Sequence, residues 1–259
     1  MLKIRVIPTL LMKNVGLVKG MAFDSWRRVG TVLPSIRVYN TREVDELILV
    51  DITATEEKRE PDLLEIQSFS GDCFVPLSIG GGIRTIEHIT RLLRSGADKV
   101  CLNTIAFEDE LLVRLASEKF GNQCVVVSVD AKRNSSGFYE CWSHSGRKAT
   151  GKEVVDFCKH MESLGAGEIL LTSIDRDGTM LGYDLDLIKS VTSKVNIPVI
   201  ASGGAGSYQH MLEAVQSGAS AVAAAAMFLF THQTPLEAKK FLASQGVPVR
   251  TFHLNGKKS

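Results

Sequence analysis

The sequence predicts an α/β fold, a single (β/α)8 barrel (TIM barrel) with a two-fold internal pseudo-repeat. Three observations support this prediction: short apolar segments alternate with amphipathic stretches, 259 residues is a usual length for one such barrel, and several motifs recur at one constant spacing. A doubly wound open sheet is the structural alternative. It is disfavoured because no G-x-G-x-x-G motif follows the first predicted strand.

The eight predicted strands are rich in Val, Ile and Leu and are almost continuously apolar, which is typical of parallel strands covered on both faces. In chain order they span residues 4–10, 46–51, 74–79, 99–103, 124–130, 168–173, 198–202 and 220–225. The amphipathic stretches between them predict helices at residues 85–95, 108–120, 151–164, 185–194 and 207–217.

The second half of the chain repeats motifs of the first half. Residues 167–174 (GEILLTSI) match residues 45–52 (DELILVDI) at a spacing of 122, the difference between 167 and 45. The Ser-Gly-Ala motifs at 95–97 and 217–219 share this spacing, as do the glycine pairs at 81–82 and 203–204. Each half therefore holds four βα units, and we expect two related sites where the strands end.

Two polar segments interrupt the alternation. Residues 131–150 contain a strand pattern at 138–143 and predict a hairpin inserted after the fifth strand, and residues 13–35 are expected to form a long loop after the first strand. Long loops at the mouth of a barrel are usually lids or substrate contacts. We otherwise expect a single domain over residues 1–259 with a basic tail at 250–259.

The composition argues against several functional classes. Thirty Lys and Arg residues against 29 Asp and Glu residues give a formal charge of +1, so no strong field would attract nucleic acid or an anionic membrane. There is no apolar run of membrane-spanning length and no signal-peptide pattern. The five cysteines lack C-x-x-C and zinc spacing. We expect a reduced cytoplasmic protein that holds neither a metal nor a cofactor.

The glycine pairs at 81–82 and 203–204 each follow a predicted strand and precede a predicted helix. Backbone N–H groups in such turns, together with a helix N-terminus, suit an oxyanion, although glycine also occurs there simply to let the chain turn. Asn103 and Thr104, at the end of the fourth strand, would complete the first cluster. Because the clusters are related by the repeat, they predict a doubly phosphorylated ligand that spans the barrel mouth.

Three aspartates lie at or just beyond the carboxyl ends of predicted strands. Asp130 ends the fifth strand, Asp51 ends the second, and Asp177 follows the sixth. Barrel enzymes place their reactive groups at this edge because the strands hold them rigidly. Aspartate also caps helices and closes turns. That structural explanation fits Asp51 best and Asp130 least.

Longer motifs resemble the cyclase subunit of imidazole glycerol phosphate synthase over residues 2–249. They include VDITA at 50–54, GGGI at 80–83, GADKV at 96–100, VDAKR at 129–133, GEILLTSIDRDGT at 167–179 and ASGGAG at 201–206. In that family a glutaminase subunit binds the bottom of the barrel, where the strands begin. Ammonia passes through the barrel to a bis-phosphorylated aminoimidazole-carboxamide ribonucleotide, and the products are imidazole glycerol phosphate and the aminoimidazole carboxamide ribonucleotide.

The resemblance implies roles for residues at the mouth. The family uses two aspartates for acid–base catalysis; Asp130 matches one, but the other position is Leu11, which cannot transfer a proton. Asp177 or a water is the candidate replacement. At Ala226 the family usually has a serine that contacts phosphate. The phosphate contacts implied in this sequence are Lys19, Gly81, Gly82, Asn103, Thr104, Gly178, Gly203, Gly204 and Ala226.

At the bottom of the barrel the resemblance implies an ammonia gate and a glutaminase contact at Asp98. The four gate residues form a ring of charges in the family, and they are Arg5, Glu46, Lys99 and Glu168. Charges inside a barrel are costly unless they are paired, so their presence favours a function, although pairing alone would also fill the end of the barrel.

The sequence combines the charged residues of the gate with an altered mouth. In this it is similar to cyclase-subunit paralogues from bacterial surface-polysaccharide gene clusters, and the segments 10–13 and 36–48 are similar to those paralogues as well. It implies a glutaminase partner and a separate sugar amidotransferase, which converts an acetamido group of a nucleotide sugar into an acetamidino group. The leading hypothesis is an ammonia-conducting barrel with weak or no cyclase activity. The main alternative is an active cyclase of histidine biosynthesis. A phosphoribosyl isomerase is a further alternative, but it also needs the aspartate of the first strand. A scaffold protein is the last, but it would not need the ring of charges.

Overall fold

The computed structural model of the protein describes residues 3–14 and 16–250. In chain order its main elements are β1 (Arg5–Lys13), β2 (Gly16–Met21), β3 (Asp24–Gly30), α1 (Val32–Thr41), β4 (Leu47–Asp51), α2 (Leu63–Ser70), β5 (Leu77–Gly80), α3 (Ile86–Arg94), β6 (Lys99–Leu102), α4 (Thr104–Glu108), α5 (Leu111–Phe120), β7 (Val125–Arg133), β8 (Tyr139–Ser143), β9 (Lys148–Glu153), α6 (Val154–Ser163), β10 (Glu168–Ser173), α7 (Leu185–Thr192), β11 (Val199–Ser202), α8 (Tyr208–Gln216), β12 (Ala221–Ala224), α9 (Ala226–Phe230) and α10 (Pro235–Ser244).

Eight parallel strands close into a barrel in the order β1-β4-β5-β6-β7-β10-β11-β12, with β12 returning to β1. The predicted (β/α)8 barrel is therefore confirmed. Every second residue of a barrel strand points inward, and the inward residues form an apolar plug. Its members are Ile7, Ile48, Cys101, Val126, Leu170, Ile200, Ala221 and Ala223. A second, larger core lies between the barrel and the surrounding helices.

The internal repeat of the sequence is also a repeat of the structure. The bounds of α2, β5, α3, β6 and α4 recur after 122 residues as those of α7, β11, α8, β12 and α9. The N-terminal caps of α3 and α8 are also repeated. The Thr85 hydroxyl accepts a hydrogen bond from the backbone N–H of His88, and the Ser207 hydroxyl accepts one from the backbone N–H of His210. The two halves are thus built by the same local interactions.

The prediction of a long loop over residues 13–35 is wrong. The chain there forms an antiparallel hairpin, β2 and β3, and the helix α1 begins at Val32. The first strand also continues to Lys13 and pairs with β2. Most of β2 is buried, whereas β3 is polar and largely exposed. The sequence therefore lacks the alternation of apolar and polar residues that would predict a hairpin.

Other boundaries differ by smaller amounts. The third barrel strand begins at Leu77 rather than at residue 74, because Phe74 lies outside the sheet with its side chain exposed. Where we expected an inserted hairpin at 131–150, β7 pairs with β8 and β8 with β9. This ribbon runs on to Glu153, so α6 starts at Val154 instead of residue 151. Apart from Arg250, the basic tail lies outside the described residues.

The five cysteines are free thiols, and Cys101, Cys141 and Cys158 are buried. None of the helices in the described part of the chain has the length and hydrophobicity that crossing a bilayer requires.

Candidate functional site

A cavity of about 310 Å³ opens at the mouth of the barrel, where the strands end. The residues predicted for this end of the barrel all line it. They are Lys19, Gly81, Gly82, Asn103, Thr104, Asp130, Asp177, Gly178, Gly203, Gly204 and Ala226. Leu11 lines the same cavity. Because β1 and β7 are opposite strands of the barrel, Leu11 and Asp130 face the cavity from opposite sides.

Asp130 is the carboxylate best suited to proton transfer. It is 8% exposed, and the Asn103 side-chain amide donates a hydrogen bond to it at 3.2 Å. Burial, and secondly the charge of nearby Asp177, raises the pKa of the Asp130 carboxyl to about 7. A group whose pKa lies near the operating pH can both donate and accept a proton, so Asp130 is the candidate general acid or base.

We expect Asp130→Asn to stabilise the protein above pH 7. The unfolded carboxyl loses its proton near pH 3.8, whereas the folded one keeps it until about pH 7. The unfolded state therefore binds fewer protons in that window, and the free energy of unfolding falls as the pH rises through it. Asparagine does not ionise, so its free energy of unfolding has no such pH dependence. The gain in the free energy of unfolding therefore grows to at most about 4 kcal/mol above pH 7 and vanishes below pH 4.

Thermal unfolding of both proteins at pH 4, 6 and 8 measures this difference. Asp186→Asn is the matched control, since that side chain is 81% exposed and should give no such trend. A constant difference in Tm between the Asp130 variant and the parent protein at all three pH values would contradict the raised pKa.

Asp177 has a buried partner of opposite charge. The Lys19 ammonium lies 2.6 Å from its carboxylate, and the Lys19 side chain is only 2% exposed. The backbone carbonyl of Asp177 also accepts a hydrogen bond from Ala22 at 2.9 Å. These contacts attach the β2–β3 hairpin to the loop after β10, so Asp177 and Lys19 order this side of the mouth as well as line it.

Asp51 closes a turn, in line with the structural explanation. One carboxylate oxygen accepts hydrogen bonds from the backbone N–H groups of Thr53 and Ala54, and the other contacts Arg59 at 3.0 Å. Such contacts shape the loop after β4.

The two glycine clusters give the halves of the mouth similar backbones but different side chains. Gly81 and Gly203 both have positive φ angles, +105° and +87°. In the first half the Thr104 hydroxyl donates to Asn103 and accepts from the backbone N–H of His144. At the corresponding position of the second half, Ala226 has no hydroxyl. The halves therefore differ by one side-chain hydroxyl beside their glycine clusters, and in this structure that hydroxyl donates to Asn103.

The two hairpins meet above the cavity and supply lining residues that the sequence did not identify. These residues are Phe23, Trp26, His144 and Ser145. The Ser145 hydroxyl donates to the carbonyl of Ile52 at 2.8 Å, and the Phe23 ring lies so close to Gly146 that a Cβ there would approach it to 2.6 Å. The polar segments at 13–35 and 131–150 indicated mouth contacts, but only the folded hairpins show which side chains reach the cavity.

At the bottom of the barrel the four predicted ring residues form a closed ring of ion pairs. Arg5 contacts Glu46 at 2.7 Å and Glu168 at 3.0 Å, and Lys99 contacts the same two carboxylates at 2.9 and 3.0 Å. The Glu46 side chain is 2% exposed and also accepts from the Ser78 hydroxyl. We name these four residues the charged ring. Positive and negative groups alternate around it, so its net charge is zero.

Asp98 lies on the same bottom face as the charged ring. It is exposed, and one carboxylate oxygen accepts a hydrogen bond from the backbone N–H of Leu77 at 2.8 Å. Its position is compatible with contact to another protein.

The closed barrel, its two-fold repeat and a mouth cavity with a buried carboxylate define a (β/α)8-barrel protein of the kind that carries its reactive groups where the strands end. Residues 5–234 match the family described as histidine biosynthesis protein, and the chain belongs to this family.

Two relatives cover nearly the whole chain. It is 46% identical over 258 residues to the imidazole glycerol phosphate synthase subunit HisF of Caulobacter vibrioides, with 99% of each chain covered. It is 45% identical over 250 residues to the HisF subunit of Gluconacetobacter diazotrophicus, which covers 96% of this chain and 97% of the relative. The resemblance noted in the sequence is thereby confirmed at the level of the family.

Proposed function

We propose that this barrel is the cyclase-like subunit of a glutamine-dependent synthase, which takes ammonia from a separate glutaminase and conducts it through the barrel to the mouth. The charged ring carries this proposal. It closes the bottom of the barrel directly below the apolar plug, opposite the cavity. The relatives are named as subunits of a synthase, which supports a partner protein.

The ring is difficult to explain as packing alone. Removing four charges from water is costly, and an apolar plug of similar volume would close the barrel as well or better. A ring of alternating charges can instead open locally, since each carboxylate keeps one cationic partner while the other moves. Neutral ammonia can cross the apolar interior behind it, whereas ammonium would lose its hydration without compensation.

We further propose that the barrel has weak or no cyclase activity and supplies its ammonia to a separate sugar amidotransferase. Leu11 supports the first part, because it faces Asp130 across the cavity and cannot transfer a proton. Ala226 supports it as well, because the second half of the mouth has no hydroxyl at the position that corresponds to Thr104. The amidotransferase rests on the resemblance to the surface-polysaccharide paralogues. The intact first half of the mouth favours a phosphorylated ligand.

The second candidate is an active cyclase of histidine biosynthesis. The near-neutral pKa of Asp130 favours it, as does the presence of the mouth residues that the resemblance implies, apart from those at positions 11 and 226. In that case Asp177 or a water would act in place of Leu11.

The test of ammonia conduction uses the complex of glutaminase, barrel and nitrogen-accepting enzyme. With amide-¹⁵N glutamine and an excess of unlabelled ammonium chloride, nitrogen conducted through the barrel keeps its label in the aminated product. We expect Lys99→Met to lower the ¹⁵N fraction several-fold while glutamine hydrolysis continues. The variant should lose less stability than the roughly 3–5 kcal/mol that removal of one partner of a buried ion pair costs, because Arg5 still contacts both carboxylates.

Lys240→Met is the matched control, since Lys240 is exposed on α10 and is not a member of the charged ring. We also expect the barrel to bind the glutaminase and to stimulate glutamine hydrolysis. An unchanged ¹⁵N fraction in Lys99→Met would show that the ring is only structural, and the conduction proposal would then be wrong.

A further inference from the structure

Three large apolar side chains are exposed around the second half of the barrel mouth. Met21 is 59% exposed at the end of β2, Leu181 is 73% exposed in the loop after β10, and Phe230 is 37% exposed at the end of α9. None of them is among the residues that line the mouth cavity. A ligand inside the cavity therefore does not account for them. We name Met21, Leu181 and Phe230 the apolar rim.

Packing between neighbouring segments brings the apolar rim to one side of the mouth. The β2–β3 hairpin lies against the loop after β10, because a Cβ on Gly178 would come within 3.0 Å of the Cα of Met21. The same hairpin reaches α9, where the Arg27 guanidinium lies 3.8 Å from the centre of the Phe230 ring. The hairpin therefore connects the segments that carry Leu181 and Phe230.

The first half of the mouth has charged side chains at the equivalent positions. The spacing of 122 relates Leu181 to Arg59 and Phe230 to Glu108. The backbone is similar in both halves, since α4 and α9 each span five residues and end at Glu108 and Phe230. Isolated exposed apolar residues are ordinary, but here one backbone carries charges in the first half and apolar side chains in the second. Large apolar residues with few charges between them are typical of the centre of a protein–protein interface.

Two arginines without an acidic partner border the apolar rim. Arg27 lies over the Phe230 ring, and Arg176 lies in the loop after β10. In the part of the chain that the structure describes, no carboxylate lies within 4 Å of either guanidinium. The exposed carboxylates of Asp24 and Asp175, on the same segments, thus leave both arginines available. A partner that fits this surface presents apolar side chains at its centre and carboxylates at its edge.

We propose that the apolar rim is the docking surface for the enzyme that accepts the nitrogen, the sugar amidotransferase proposed above. This inference rests on the proposed supply of ammonia to that enzyme. The apolar rim borders the opening of the mouth, so a protein bound there would cover the cavity and separate its contents from water. A second copy of the barrel bound through the same residues would instead close the mouth against the accepting enzyme.

The test measures binding of the purified sugar amidotransferase to the complex of barrel and glutaminase by titration calorimetry. Leu181→Glu and Met21→Glu place a charge in the apolar rim, and we expect each to raise the Kd at least about tenfold, as the loss of one interface anchor does. Leu115→Glu is the matched control, since that side chain is 51% exposed on α5 and does not belong to the apolar rim. The Tm and the affinity for the glutaminase should not change in any of these variants, because the substituted side chains are exposed.

The role of the arginines is tested by charge reversal. Arg176→Glu should raise the Kd as well, and the Kd of the parent complex should rise with salt concentration, because exposed charge pairs are screened. A Kd that depends on neither would show that the partner presents no carboxylates here, and the chemistry proposed for it would be wrong.

No binding to the parent complex, or an unchanged Kd in the double variant of Met21→Glu and Leu181→Glu, would overturn the proposal. A dimer of the barrel alone that Leu181→Glu disrupts, detected by analytical ultracentrifugation, would show that the occupant is a second copy and would overturn it too. The isotope assay with amide-¹⁵N glutamine separates this proposal from the proposed function. If the double variant aminates the sugar with the same ¹⁵N fraction as the parent complex, only the docking surface is wrong. If the parent complex does not aminate the sugar, both are wrong.

Discussion

With free ammonium as the nitrogen source, this protein should convert the histidine-pathway substrate roughly 10²–10⁴ times more slowly than a cyclase with two acid–base groups. Asp130 is buried and has a near-neutral pKa, but Leu11 faces it from the opposite strand. One proton transfer of the cyclisation then has no positioned group. We expect Leu11→Asp to recover at least tenfold in kcat/KM, and Ala226→Ser in addition to lower KM.

Leu11→Asn is the matched control, because the amide has nearly the same shape as the carboxyl but cannot exchange a proton at neutral pH. It should leave kcat/KM at the level of the parent protein. If the parent protein already turns over within about tenfold of an ordinary cyclase, the active-cyclase candidate gains and Asp177 or a water must replace the missing group.

Gly81→Ala should destabilise the fold by at least about 3 kcal/mol, which corresponds to roughly 6–12 °C in Tm for a domain of this size. A Cβ at Gly81 would lie 2.2 Å from the carbonyl oxygen of Asp51, and the φ of +105° disfavours any side chain. Backbone cannot move aside as the end of a flexible side chain can. The first glycine cluster is therefore held against β4 by close packing, whatever ligand it binds.

Gly137→Ala separates the cost of the steric contact from the cost of a side chain at positive φ. Gly137 also has a positive φ, +87°, but a Cβ there would meet nothing within 4 Å. It should cost only the roughly 1–2 kcal/mol of the left-handed conformation. Thermal or urea unfolding of both variants measures the difference. Equal losses would mean that the contact with Asp51 is relieved cheaply, and that close packing does not hold the cluster.

The barrel was predictable because buried parallel strands carry a strong and simple signal. The hairpin of β2 and β3 and the helices α1 and α2 were not among the predicted elements. The hairpin is polar on β3 and pairs with β1 only through β2, so its stability comes from tertiary contacts such as that between Lys19 and Asp177. Periodicity within a short window cannot show contacts between residues that are 158 apart in the chain.

The residues of the mouth were predictable because barrels place polar groups where strands end, and because family motifs cover those positions. The family resemblance implied the members of the charged ring, and the cost of unpaired charges inside a barrel implied that they would pair. The lining residues Phe23, Trp26, His144 and Ser145 were not predictable, because only the two folded hairpins bring them to the cavity.

The repeated backbone of the mouth has a consequence for any ligand with an anionic group at each end. In a fully symmetric mouth such a molecule would bind in two orientations of equal energy, and half of the bound molecules would face the wrong way. Thr104 and Ala226, which occupy equivalent positions, remove this degeneracy. If the Thr104 hydroxyl turns from Asn103 to the ligand, that end makes one more hydrogen bond than the other, and an advantage of about 1 kcal/mol would populate one orientation about five times more than its reverse. The two ends of the mouth are therefore not equivalent, and Asp130 would face the same end of most bound ligand molecules.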